Sequence, residues 1–169
     1  ARDVDFAYAR ATMGTGLRDA LFTGHWAALA QAGIRRGAVH VFSLCDPAGA
    51  QAGAFAATVP RDPDALPAAV DLDFHDDCPA RPARQVVLDS IRRLAAGIET
   101  HSGKPVVLRV SRAFEAEYRV SEAIPRPLWL TGDFFSPDYA ARPWRMWRSS
   151  RVRRVDGIDG PVDWDVVAP

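Results

Sequence analysis

Stretches of strand and helix character alternate along the first two thirds of this chain, and no other feature restricts its fold so tightly. "VDFAYARAT" (4–12) has strand character. In the following "RDALFTGHWAALAQAG", Phe22, Trp26 and Leu29 recur at helical spacing before Gly33, a helix stop. "GAVHVFSL" (37–44) is a β-rich run, and "PAGAQAGAFAATV" (47–59) an alanine-rich helix opened by Pro47. "AAVDLDF" supplies a third strand. "PARQVVLDSIRRLAAGIETHSG" has the clearest helical period, with Val87, Ile91, Leu94 and Ile98 on one stripe and Gly103 at its end. "PVVLRVS" (105–111) is a fourth strand and "RAFEAEYR" a short helix after it. Beyond about residue 127 the alternation fades into "PLWLTGDF", "WRMWRSS" and "GPVDWDVV", short strands joined by loops. Strands that alternate with helices imply a parallel sheet, here a barrel-like or doubly wound α/β array that finishes in plain β-structure. No internal repeat, linker or low-complexity segment divides the 169 residues, so 1–169 are expected to form a single domain with a substantial core.

Charge and hydropathy narrow the function classes. The formal net charge is zero, which removes any global signal for nucleic acid or an anionic membrane as partner. No apolar run approaches the roughly 18 residues of a membrane-spanning helix, so membrane insertion is not expected. The chain opens inside a strand pattern, "ARDVDFAYARAT", so residues upstream of it are expected to have been removed or left out.

In parallel sheets of this kind, active sites gather at the carboxyl ends of strands and in the loops that follow. "AAVDLDFHDDC" (68–78) places an acidic cluster at such an end. Side chains alternate along a strand, so Asp71, Asp73 and His75 share one face, with Leu72 and Phe74 on the other. Three readings fit that face: an acid-catalysed hydrolase, a divalent metal site with two hard oxygen ligands and an imidazole, or a solvated strand end. Other candidates at strand ends are Thr12 to Gly16, His40 to Cys45, Arg109 to Arg112, and Gly132 with Asp133. "MGTG" (13–16) lacks the full glycine fingerprint and lysine of a phosphate loop and reads as a turn. Trp129, Trp144, Trp147 and Trp164 either stack on sugars or belong to the core. The six arginines from Arg142 to Arg154 form a solvated face or meet an anionic polymer through forked guanidinium groups.

The order of motifs resembles glycoside hydrolase family 25, the muramidases that cut peptidoglycan. "FAYARATMGTGLRD" is similar to the family's second strand and its loop, "AGIRRGAVHVF" to its Gly-Ala-Tyr-His-Phe strand, and "QAGAFAATV" to the next helix. "LPAAVDLDF" resembles the Asp-x-Glu strand, "SGKPVVLRVSRAF" the Ile-Tyr-Thr strand, "RPLWLTGDF" the Leu-Trp strand, and "RPWRMWRSSRVRRVDGIDGPVDWDVV" the closing segment. The resemblance implies an irregular TIM-like barrel of five strand-helix units followed by plain strands, with the first strand missing from these residues. It implies hydrolysis of the β-1,4 bond between N-acetylmuramic acid and N-acetylglucosamine, with peptidoglycan or a related glycan as partner, no cofactor and no metal.

Residue by residue, the resemblance places Asp73 at the general-acid glutamate. It places Asp71 at the aspartate supporting the substrate N-acetyl group or the developing positive charge, and Asp163 at the acidic residue of the last strand. His40, Asp19 and Trp129 match positions lining or supporting the groove. Arg109 stands at the strand tyrosine and Trp147 at the head of the closing Trp-Gln-Tyr, both as substrate contacts. Departures collect here: besides Asp73 and Arg109, Met13, Val39, Arg148 and Ser149 replace the family residues. The first-strand aspartate has no counterpart, since Asp3 and Asp5 precede the second strand. The alternative is therefore a degenerate member that binds glycan without turnover. A subset of the family carries cysteines after the His and Asp-x-Glu strands. The resemblance thus implies a Cys45–Cys78 disulfide, and with it export from a bacterial cytosol to the periplasm or beyond.

Overall fold

The computed structural model describes residues 4–76 and 78–169; Asp3 and Asp77 lie outside the described residues. The elements run β1 (Phe6–Met13), β2 (Leu17–Arg18), α1 (Phe22–Gln31), β3 (Arg35–Val41), α2 (Ala48–Thr58), β4 (Ala69–Leu72) and α3 (Arg84–Ser102). They continue with β5 (Val107–Val110), α4 (Arg112–Tyr118), α5 (Val120–Ala123), β6 (Leu128–Thr131), β7 (Met146–Arg153) and β8 (Val162–Val167). One eight-stranded sheet takes them in the order β2-β1-β3-β4-β5-β6-β7-β8. β1, β3, β4, β5, β6 and β7 pair in parallel, and β2 and β8 close the edges antiparallel. The sheet curls into a half-barrel: Arg109 on β5 reaches Asp163 on β8, three strands away in the sheet order. Among the described residues, four strand-helix units precede the plain strands β6 to β8.

The helices cover the convex face. On α3, Val87, Leu88, Ile91, Leu94, Ala95 and Ile98 are buried, the stripe expected of a helix lying on a sheet. They meet Val70, Leu72, Leu108, Val110, Leu128 and Leu130 in one apolar cluster. The alanines of α2 let it pack closely on α3. A Cβ on Gly97 would come within 2.6 Å of the Ala52 Cβ, so glycine sets the separation there. Gly103 ends α3 in the left-handed region at φ 72°, where glycine carries no steric penalty.

The concave face differs. Its small apolar cluster is Val39, Ala69, Trp129 and Met146, with Phe6, Tyr8 and Val107 against it. Climbing toward the strand ends, the same face becomes charged: Ala69 is followed by Asp71, Val107 by Arg109 and Met146 by Arg148. An apolar floor thus gives way to a polar mouth at the carboxyl ends of the parallel strands.

Several boundaries differ from the sequence expectation. The third strand stops at Leu72, leaving Asp73 and Phe74 in the loop. The short helix after β5 ends at Tyr118 as expected to within a residue, and beyond Arg119, in the left-handed region at φ 48°, follows α5, which the sequence pattern did not mark. "MGTG" is the turn into β2, and the Thr15 N–H is held by the Asp46 carboxylate at 2.8 Å.

Candidate active site

Charged side chains of the mouth form one connected array. Arg109 donates from Nη1 to Asp71 Oδ2 at 3.1 Å and from Nη2 to Asp163 Oδ2 at 2.6 Å. Its guanidinium lies over the Trp129 ring, 5.0 Å from the centroid. Trp129 Nε1–H donates to Asp165 Oδ1 at 2.8 Å, and the Trp129 ring rests on Tyr8, which donates its hydroxyl to the Pro67 carbonyl. Arg148 stands 3.8 Å from Asp163 and 3.7 Å from Asp133. Asp133 in turn accepts both arms of Arg151, at 3.2 and 2.7 Å.

Burial sets the protonation of this array. Loss of solvent pushes the Asp71 carboxyl above the ordinary carboxylate range, against the pull of Arg109, with Asp73 adding to the rise. Asp165 is pushed up to about 6, chiefly by burial and further by Asp163, while Trp129, Arg109 and Arg148 oppose the shift. Asp165 was not among the residues singled out from the sequence. Its signal was present, since "VDWDV" sets it two residues from Asp163 and so on the same face of one strand.

Asp73 lies one residue past β4. Its Oδ1 accepts the Phe74 N–H at 2.8 Å, and among the described residues no group hydrogen-bonds its Oδ2. Phe74 points the other way and packs on Phe114 and Tyr118, as alternation requires. His75 has a buried Nε2 with no partner among the described residues and acts electrostatically on Asp71. Among the described residues, no group of three or more His, Cys, Asp or Glu side chains is placed to hold a metal ion.

Two expected substrate contacts are elsewhere. His40 is fully buried on the helix side of β3. Its Nδ1 is 2.8 Å from the Thr12 hydroxyl and its Nε2 3.1 Å from Gln51 Oε1. Because Gln51 Oε1 also accepts the Ser43 N–H, the imidazole donates from Nε2 and accepts at Nδ1. Burial holds its pKa below the usual value, so it is a neutral structural residue that pins β1, β3 and α2 together. Trp147 belongs to the convex-side core beside Trp144, because β7 turns Met146 and Arg148 inward and Trp147 outward. Neither side chain reaches the mouth.

The remaining residues keep to it or to its rim. Trp129 is on the concave face, but Arg109 covers its ring, which makes it floor rather than an open stacking surface. Asp19 pairs with Arg10 at 3.1 Å and accepts the Leu21 N–H at the entry to α1. That backbone hydrogen bond, with Arg10, holds its carboxyl below the ordinary range. Cys45 and Cys78 are joined in a disulfide, Cα to Cα 5.8 Å, tying the loop after β3 to the loop after β4 beside Asp73. No helix among the described residues is long and apolar enough to cross a membrane.

Comparison with known proteins agrees with this geometry. Residues 1–158 match the family described as glycosyl hydrolases family 25. The lysozyme of Streptomyces coelicolor superposes with a TM-score of 0.89 at 25% identity, covering 99% of this chain and 82% of that one. A family 25 glycosyl hydrolase of Bacillus anthracis gives 0.87 at 27% identity, covering 98% and 78%. The Escherichia coli K12 protein YegX is 30% identical over 164 residues, 96% of this chain. The chain spans 59% of the length of that relative.

Proposed function

The chain belongs to glycosyl hydrolase family 25, and from that premise we propose that it is a single peptidoglycan-directed, muramidase-like domain that cleaves the β-1,4 bond between N-acetylmuramic acid and N-acetylglucosamine. The observation that carries this reading is the pair at the end of β4, with Asp71 withdrawn and held by Arg109, and Asp73 beyond the strand with an oxygen unengaged. Most glycoside hydrolysis needs one carboxyl to protonate the leaving oxygen and another to support the oxocarbenium-like charge. Asp73 is the acid in this proposal, and Asp71 the stabiliser. Asp163 holds Arg109 in place. The finer barrel, with five strand-helix units, belongs to the same proposal, as does export, which the disulfide favours.

Aspartate in place of glutamate shortens the reach of the acid by about an ångström or more. Proton transfer requires heavy atoms about 2.6 to 3.2 Å apart, and a 1 Å misplacement costs on the order of 100-fold. Activity on purified peptidoglycan is therefore expected to be weak, raised by Asp73→Glu and abolished by Asp73→Asn. A clearing assay with the three proteins, beside a pull-down on the same material, tests this. Binding without turnover in all three would sink the hydrolase and leave a glycan-binding module. One observation favours that second reading: the Arg109 bridge from Asp71 to Asp163 crosses the concave face where a sugar ring must lie.

A further inference from the structure

Beside the acidic pair, between the β6–β7 loop and β7, lies a cleft of about 550 Å³ that the hydrolytic chemistry does not use. Arg112, Arg148 and Arg151 line it with Asp133, Asp138 and Phe135. Two independent features mark it as built to receive something.

The first is Arg148. Its side chain is only 13% exposed, yet it reaches no carboxylate closer than 3.7 Å. Its Nε is buried with no partner, and its side chain donates no hydrogen bond among the described residues. A buried guanidinium N–H without a hydrogen bond is costly, and the two Nη groups have no hydrogen-bond partner among the described residues. Its planar fork of donors is the natural complement of a carboxylate, which can accept two parallel bonds. The second is the loop. Phe134 and Phe135 are 79% and 84% exposed, and Phe134 holds φ at 67°, a region bulky residues rarely adopt. An unpaired aromatic pair beside unsaturated donors suits a ligand with both an apolar face and an anionic group.

We infer that this cleft is a subsite for a carboxylate carried on the glycan, the free carboxyl of a muramyl-linked peptide, with Arg148 as its principal donor and Phe135 packing against the ligand's apolar face. The inference rests on the muramidase-like reading and specifies the substrate class of that site. Charge favours a monoanion such as a carboxylate over a dianionic phosphate monoester: three guanidiniums face two carboxylates in the lining, which leaves one net positive charge. Continuity with the mouth supports the placement. Arg148 borders Asp163, which Arg109 links to Asp71, and Arg151 lies within electrostatic reach of Asp73.

The test is titration calorimetry of the intact chain with muramyl dipeptide, which has one free carboxylate, and with its amidated, neutral counterpart. The wild type is expected to bind the carboxylate form about tenfold more tightly, the range of one or two charge-assisted hydrogen bonds. Arg148→Gln brings that ratio close to one while changing affinity for the amide less than twofold. Arg151→Gln, at an exposed position, provides a second variant if Arg148→Gln lowers the melting temperature severely. A wild-type ratio near one, or a ratio unchanged in both variants, overturns the inference. Inorganic phosphate competing far better than acetate overturns the choice of carboxylate. Absence of peptidoglycan turnover with the ratio intact sinks the hydrolase reading alone. Turnover with a ratio near one sinks this inference alone.

Discussion

Asp165 carries the sharpest consequence for pH. Its carboxyl is raised from the ordinary 3.8 to about 6, because β8 folds it under Trp129 away from solvent. The folded state therefore holds this proton more tightly than the unfolded chain. The contribution to stability is present in full below pH 3.8, and is lost as pH rises through about 6. At about 1.36 kcal/mol per tenfold, the full interval corresponds to about 3 kcal/mol; partial exposure lowers the expected figure to about 2 to 3 kcal/mol. Asp165→Asn isolates the effect. The amide oxygen still accepts the Trp129 Nε1–H bond, and no charge appears at high pH. Urea unfolding of both proteins from pH 3.5 to 7.5 gives the difference directly. The variant is expected to gain about 2 to 3 kcal/mol on the wild type across that range, roughly 1 M in urea midpoint at a slope near 2 kcal/mol/M. A difference flat to within about 0.5 kcal/mol would refute the reasoning, since Asp165 would then titrate alike in both states.

Two further outcomes follow from the same geometry. Reducing the Cys45–Cys78 bond, or replacing both cysteines by serine, releases a loop closed over a separation of 33 residues. The loop-entropy relation puts the loss at roughly 3 to 4 kcal/mol, read as a fall in thermal midpoint under reducing conditions. Arg109→Met leaves the largely buried Asp71 carboxylate without its counter-ion and is expected to cost roughly 2 to 4 kcal/mol at pH 7. The cost is expected to shrink on acidification, because burial raises the Asp71 carboxyl and favours its neutral form, and to be partly recovered by adding Asp71→Asn; a loss that does not diminish as pH falls would contradict the pairing.

The legible part of the structure was the part written in local periodicity. The α3 stripe and its Gly103 stop, the alternation of strands and helices along the chain and the opposed faces of Asp71 and Leu72 all follow from spacings of 3.6 and 2. Faces failed where both sides of a strand are apolar. Alternation separates His40 from Val39, and Trp147 from Met146, but it does not say which side meets the helices when either side would bury them. Two short elements, β2 and α5, fall below the length at which a period can be read. The Arg109–Asp163 contact was illegible for another reason: it depends on the curl accumulated over three strands, which no local pattern encodes.

That contact makes the departures from the family pattern a coupled set rather than a scatter of losses. A tyrosine at 109 would leave Asp71 free to face a sugar. It would also remove the guanidinium that keeps Asp71 and Asp163 from repelling each other and that ties the edge strand β8 to the interior. Arg148 stands next in line, between Asp163 and Asp133, so losing Arg109 alone leaves Asp163 with a partner no nearer than 3.8 Å. Reversion at a single position therefore exchanges one unpaired charge for another. Lengthening Asp73 to glutamate escapes this constraint, because Asp73 forms none of the ion pairs of the array and its hydrogen bond is to the adjacent Phe74 N–H. A substitution there changes the reach of the proposed acid without unpinning the strands around it, which is why it separates a weakened catalyst from a binding module more cleanly than any change at 109 or 148.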